Sequence, residues 1–194
     1  MRTLSALITA MGGRGGDVAS DFQRRKVAGV FEAMDADGNG FLEEDDFEAL
    51  TERWVSIRDW QPGTPDYERM RAIMMGWWEA LRVMSDANED GKVSLDELMN
   101  VVDQLPAMDA EVMGTADAMF EAIDENGDGR ISVEEHKQVV KAWKGSDDGV
   151  EEVFPRLDLN GDGYLSHEEF RGLWSDFWRG DDPSQPGQWV FGPY

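Results

Sequence analysis

Asp86-Ala87-Asn88-Glu89-Asp90-Gly91-Lys92-Val93-Ser94-Leu95-Asp96-Glu97 decides the fold of this chain. Oxygen-bearing side chains stand at its first, third, fifth, ninth and twelfth positions. A glycine stands at the sixth and an apolar residue at the eighth. The same order returns at residues 124–135 and 158–169. It also returns at 35–46, where the closing residue is Asp46 rather than glutamate.

Alternate oxygens on a short loop suit a hard cation. Calcium takes six to eight oxygens at about 2.3–2.6 Å. The second copy offers Asp86, Asn88, Asp90, the Lys92 backbone carbonyl and both oxygens of Glu97, with Ser94 placed to hold a water. The third offers Asp124, Asn126, Asp128, the Arg130 carbonyl and Glu135. The fourth offers Asp158, Asn160, Asp162, the Tyr164 carbonyl and Glu169. The first offers Asp35, Asp37, Asn39, the Phe41 carbonyl and Asp46, with Glu43 at the ninth position. The sixth position must turn with positive φ, which glycine does cheaply. These are four EF-hand calcium loops. Leu42, Val93, Ile131 and Leu165 at the eighth positions should pair in short strands and point inward.

Asp46 is one methylene shorter than glutamate and reaches an ion less readily with both oxygens. Coordination then tends toward six, the number magnesium prefers at about 2.0–2.1 Å. The first loop is therefore expected to be a mixed Ca²⁺/Mg²⁺ site, in a chain that holds up to four Ca²⁺.

The chain has 194 residues and a formal charge of −23. That balance argues against a nucleic-acid partner, which needs a basic face. It argues equally against docking on anionic membranes. Four divalent ions would bring −23 to −15, and without them the crowded carboxylates repel. There is no cysteine, hence no disulfide or thiol chemistry. No apolar run is long enough to span a bilayer. Leu4, Leu7, Ile8 and Met11 fall at i, i+3, i+4 and i+7, which reads as a short amphipathic helix rather than a secretion signal. A cytoplasmic monomer is the resulting expectation.

Each loop lies between stripes of helical period, such as Val27, Val30, Phe31 and Met34 before the first and Phe170, Leu173, Trp174 and Phe177 after the fourth. Pro62-Gly63-Thr64-Pro65, Leu105-Pro106-Ala107-Met108 and Gly145-Ser146-Asp147-Asp148 punctuate the pairs, and Pro155 should kink or shorten its helix. The expected fold class is all-α: four EF-hands in two pairs packed as a compact globule, with a short antiparallel β pairing in each pair. Its parts are an N-terminal extension at 1–17, a first pair at 18–105, a second at 106–180 and a tail at 181–194. Trp189, Val190 and Phe191 follow a Pro/Gly tether, and the tail is expected to dock because such residues side by side are costly in water.

The loops start at 35, 86, 124 and 158, so the first interval is the longest. That interval, Asp46 followed by Phe47-Glu48-Ala49-Leu50, and the ending Asp181-Asp182-Pro183-Ser184-Gln185-Pro186-Gly187-Gln188-Trp189-Val190-Phe191 resemble the sarcoplasmic calcium-binding proteins. The resemblance is closest to their actinobacterial, calerythrin-type relatives and covers about residues 18–194. It implies a compact helical protein that buffers, stores or transports calcium inside the cell. In that group the second loop is usually degenerate, whereas Asp86, Asn88, Asp90, Gly91 and Glu97 are all present here.

Three functions compete. A buffer fits the bulky tryptophans and the mixed first loop. A sensor that opens a hydrophobic groove for a partner protein fits the 11 methionines. A luciferin-binding photoprotein fits worst: His136 and His167 are the only histidines, and His167 lies inside the fourth loop. No nucleophile–base pair supports an enzyme, and no protein target is indicated.

Overall fold

A computed structural model describes residues 20–105 and 108–192. The helix expected near Leu4–Met11 lies outside the described residues.

Helix α1 (Asp21–Met34) leads into strand β1 (Phe41–Leu42) and helix α2 (Glu44–Ile57). Helix α3 (Pro65–Ser85), strand β2 (Val93–Ser94) and helix α4 (Leu95–Val102) form the second hand. The third is α5 (Asp109–Ile123), β3 (Arg130–Ser132) and α6 (Val133–Lys144). The fourth is α7 (Val150–Leu157), β4 (Tyr164–Ser166) and α8 (His167–Arg179). A short 3₁₀ turn, Pro186–Trp189, follows.

Local chemistry sets these boundaries. Ser94, Ser132 and Ser166 cap α4, α6 and α8, accepting the amide of the glutamate three residues on; that glutamate returns a bond to the serine amide. Thr64 caps α3, with Pro65 at its first position, where no amide is needed. Pro155 lies inside α7, which is only eight residues long.

The strands pair antiparallel as expected: Leu42 opposite Val93, and Ile131 opposite Leu165. All four side chains are fully buried. One apolar cluster runs through both halves. Trp77 of α3 meets Trp143 of α6 with ring centroids 5.7 Å apart, and Trp174 of α8 at 6.4 Å. The two pairs therefore share a core rather than standing as separate lobes.

The segment after α8 closes that core. Phe191 is 4 % exposed and wedged against Phe177, Trp143 and Trp174 at 4.7, 5.2 and 5.5 Å. A side chain at Gly187 would put its Cβ 2.5 Å from the Leu173 carbonyl oxygen, so only glycine permits this approach. His136 donates from Nε2 to the Val190 carbonyl at 2.8 Å. Burial holds this imidazole down to about 4, so it is neutral at pH 7. Lys26 donates to the Gly180 carbonyl at 2.7 Å and to Gln188 Oε1 at 2.9 Å. Burial lowers its pKa to about 8, against the pull of Asp181 and Asp176.

Candidate metal centres

Each loop begins as the residue after a helix and ends in the first turn of the next. That geometry turns the side chains inward. In the third loop, Asp124 Oδ1 accepts from the Asp128 amide at 3.1 Å and Oδ2 from the Gly129 amide at 2.9 Å. Asn126 Oδ1 accepts from Asp128 N at 2.8 Å, and Asp128 Oδ1 from Arg130 N at 3.0 Å. Glu135 folds back across the loop: Oε1 accepts from Glu125 N at 3.0 Å and Oε2 from Ser132 N at 2.8 Å.

The other loops repeat this ladder. Asp86 holds Asp90 N and Gly91 N, Asn88 holds Asp90 N, and Asp90 holds Lys92 N. Glu97 accepts from Ser94 N. Asp158 holds Asp162 N and Gly163 N, Asn160 holds Asp162 N, and Asp162 holds Tyr164 N. Glu169 accepts from Ser166 N and Asn160 N. In the first loop Asp35 holds Asn39 N and Gly40 N, Asp37 holds Asn39 N, and Asn39 holds Phe41 N. Phe41, Arg130 and Tyr164 open their strands, and Lys92 directly precedes β2. The oxygen-bearing side chains of each loop are thus tied into that loop's own ladder of backbone hydrogen bonds.

The loops are not equal. Among the described residues, Asp35, Asp37 and Asp46 place carboxylate oxygens all within 4.8 Å of one another. Asp46 is 3 % exposed and accepts from Ala36 N and Glu43 N, both at 2.8 Å. Burial raises its pKa; the two amides oppose the rise, and Asp35 and Asp37 add to it. Glu43 reaches sideways to Lys92 at 2.8 Å and to Asn39 at 2.8 Å, and those bonds lower its pKa. Its charge ties the first loop to the second. At the fourth loop position, loops one, three and four carry glycine with positive φ, whereas loop two carries Glu89 at φ 60°. A side chain there costs roughly 1–2 kcal/mol.

At the ninth positions the Ser94, Ser132 and Ser166 hydroxyls donate to Oε2 of Glu97, Glu135 and Glu169 at 2.7–2.8 Å. The capping box sets this bond, because the twelfth loop position is also the third helical one. The Ser94 amide bond, and after it the hydroxyl bond, lower the Glu97 pKa. For Glu169, burial raises the pKa, but the bonds from the Ser166 hydroxyl and amide and from the Asn160 amide together bring it below its ordinary value.

Comparison with known proteins points the same way. The EF-hand domain-pair pattern matches residues 115–175, and a single EF-hand pattern matches 27–51 and 85–102. The sarcoplasmic calcium-binding protein beta chain of Penaeus sp. is 35% identical over 69 residues, covering 35% of this chain and 36% of that protein. The chain thus matches about a third of the length of that relative. The solved sarcoplasmic calcium-binding protein from amphioxus superposes with a TM-score of 0.71 at 22% identity, over 91% of this chain and 99% of that one. A Streptomyces coelicolor calcium-binding protein, described as a structural basis for prokaryotic calcium-mediated regulation, gives 0.70 at 19% identity over 82% and 99%. At these identities the superpositions speak for the fold. No helix of the described residues is long and apolar enough to cross a membrane.

Proposed function

Because this chain belongs to the EF-hand family of non-enzymatic calcium-binding proteins, we propose that it is an intracellular calcium buffer or store with up to four sites. The ligands in this reading are the twenty loop residues set out above, and the first site exchanges Ca²⁺ with Mg²⁺. The division into hand pairs at 18–105 and 106–180, with a docked tail at 181–194, belongs to the same reading.

The observation that carries it is Phe191, seated where a sensor would receive a partner's apolar side chain. The described methionines fit as well: Met34, Met70, Met74, Met99 and Met119 are buried, and none is exposed. Buffer hands barely open on binding. The exposed large apolar residues, Phe41, Val83 and Leu159, are scattered singly.

One feature favours the sensor as a second reading. An apolar cavity of about 50 Å³ lies where the halves meet, lined by Met34, Trp77, Leu81, Leu98, Val101 and Trp174 among others. Binding of an apolar-surface dye in chelator, in magnesium and in calcium separates the two. A buffer gives low signal in both metals and a rise only in chelator. A rise specific to calcium means that a groove opens, and the buffer reading falls.

For the first site, Asp46→Glu lengthens the closing arm. Magnesium should then compete less well for that loop, read as a drop in the magnesium concentration dependence of calcium binding there. Unchanged competition would remove the mixed-site assignment.

A further inference from the structure

The two β ribbons join loop one to loop two and loop three to loop four. Among the described residues no ribbon joins loop one to loop three. Helix α2 does so by another route. Asp46 stands in its first turn, and its far end carries Arg53 and Arg58. Fourteen residues at 1.5 Å each make this a rod of about 21 Å.

Both arginines grip helix ends that lead into loops. Arg53 Nη1 donates to the Ala33 carbonyl at 3.1 Å, one residue before the end of α1 and two before Asp35. Arg58 crosses to the other half. Its Nη1 and Nη2 donate to the Ala122 and Ile123 carbonyls, at 2.9 and 3.0 Å, at the end of α5. Asp124 is the next residue. Arg58 Nε donates to Gln138 Oε1 on α6 at 2.6 Å, and Gln138 in turn donates to Glu125 at 3.0 Å. One guanidinium thus holds the helix entering the third loop and the helix leaving it.

Arg58 is built in rather than draped over the surface. Its side chain is 1 % exposed, and the guanidinium lies 5.5 Å from the Trp54 ring centroid and 4.8 Å from that of Trp60. Glu125 stands 3.8 Å from Nε. A buried charge with this many partners fixes geometry, because each partner left alone would be costly. Independently, the closing carboxylates of these two loops are the buried ones: Asp46 is 3 % and Glu135 5 % exposed, whereas Glu97 and Glu169 are half-buried.

We infer that α2 couples the first and third loops, with Arg58 as the positioning residue, so that an ion in loop one raises the affinity of loop three. The inference rests on the metal-site reading above. An ion in loop one holds Asp46, already buried against the Ala36 and Glu43 amides, in place and so fixes the start of the rod. The arginine end then holds α5 and α6 at the angle that brings Asp124 and Glu135 onto one ion. With loop one empty, the rod is free to shift, and the grip on the third hand shifts with it. The angle between α5 and α6 is the element that both sites bias.

Backbone amide NMR of Gly40, Gly91, Gly129 and Gly163 during a calcium titration reads each loop separately. Emptying loop one with Asp35→Ala should weaken binding at Gly129 by at least about fivefold, the lower end of typical coupling. In an Arg58→Met background the same substitution should change Gly129 by less than about twofold. Gly91, joined to loop one through the ribbon and the Glu43–Lys92 pair, should weaken equally in both backgrounds. A purely structural role for Arg58 would not separate Gly129 from Gly91 in this way. Should Arg58→Met fail to fold, Arg58→Lys keeps the charge, loses the fork and should leave a reduced response. An unchanged Gly129 midpoint after Asp35→Ala, or a full response that survives loss of Arg58, overturns the coupling. No calcium-induced shift at any of the four glycines would overturn the metal-site reading itself.

Discussion

In saturating calcium the protein melts at least about 10 °C above its melting point in chelator. The loops force carboxylates together: three of them share the first site within 4.8 Å, and two closing carboxylates are buried. The formal charge of −23 adds repulsion over the whole surface. An ion that binds the folded state alone adds about 2.7 kcal/mol per site at one hundred times its dissociation constant. Two filled sites then contribute about 5 kcal/mol. For a domain of this size each kcal/mol shifts the midpoint by about 2–4 °C. Calorimetry in the two buffers measures it, and a difference under about 3 °C would mean that the loops do not hold ions tightly.

Phe191→Ala lowers the melting temperature by roughly 6–20 °C, with calcium present throughout. Truncating a buried phenylalanine costs about 3–5 kcal/mol, and the same slope converts that to temperature. The cost should lie at the upper end, because three aromatic partners close around this ring and edge contacts add about 0.5–1.5 kcal/mol each. Removing residues 188–194 should cost more. It takes away Gln188, leaving the buried Lys26 ammonium one acceptor short, and strips His136 of its carbonyl partner. Dye binding should rise in both variants. Val83→Ala serves as the reference: Val83 is 70% exposed, and its loss should stay within about 0.5 kcal/mol. A Phe191→Ala protein as stable as the Val83→Ala one would mean that the segment lies on the surface without completing the core.

The loops, the helices around them and the strand pairing were legible because each follows from short-range chemistry. Oxygen spacing names the ion, and the 3.6-residue period names the buried faces. The eighth-position residues pair because neighbouring loops present equivalent backbone. The serine–glutamate bonds have an equally local cause: the closing glutamate is also the third helical residue, so the serine before the helix caps it. Arg58 and Lys26 were not legible. Their partners lie 64 and 162 residues away, and nothing in the spacing of charges distinguishes them from solvated ones. The left-handed turn at Glu89, by contrast, has a readable signal, since Gly38, Gly127 and Gly161 fill the same place in the other three loops.

The contact between Lys26 and Gln188 also sets an order of events during synthesis. Chains grow at about 5–20 residues per second. Lys26 therefore leaves the ribosome roughly 8–32 s before the glutamine that receives it, and Phe191 follows three residues later. All four hands have emerged before Gln188 does. Until then the core stays open on the side that Phe191 will cover, and for that interval this surface is open to chaperones.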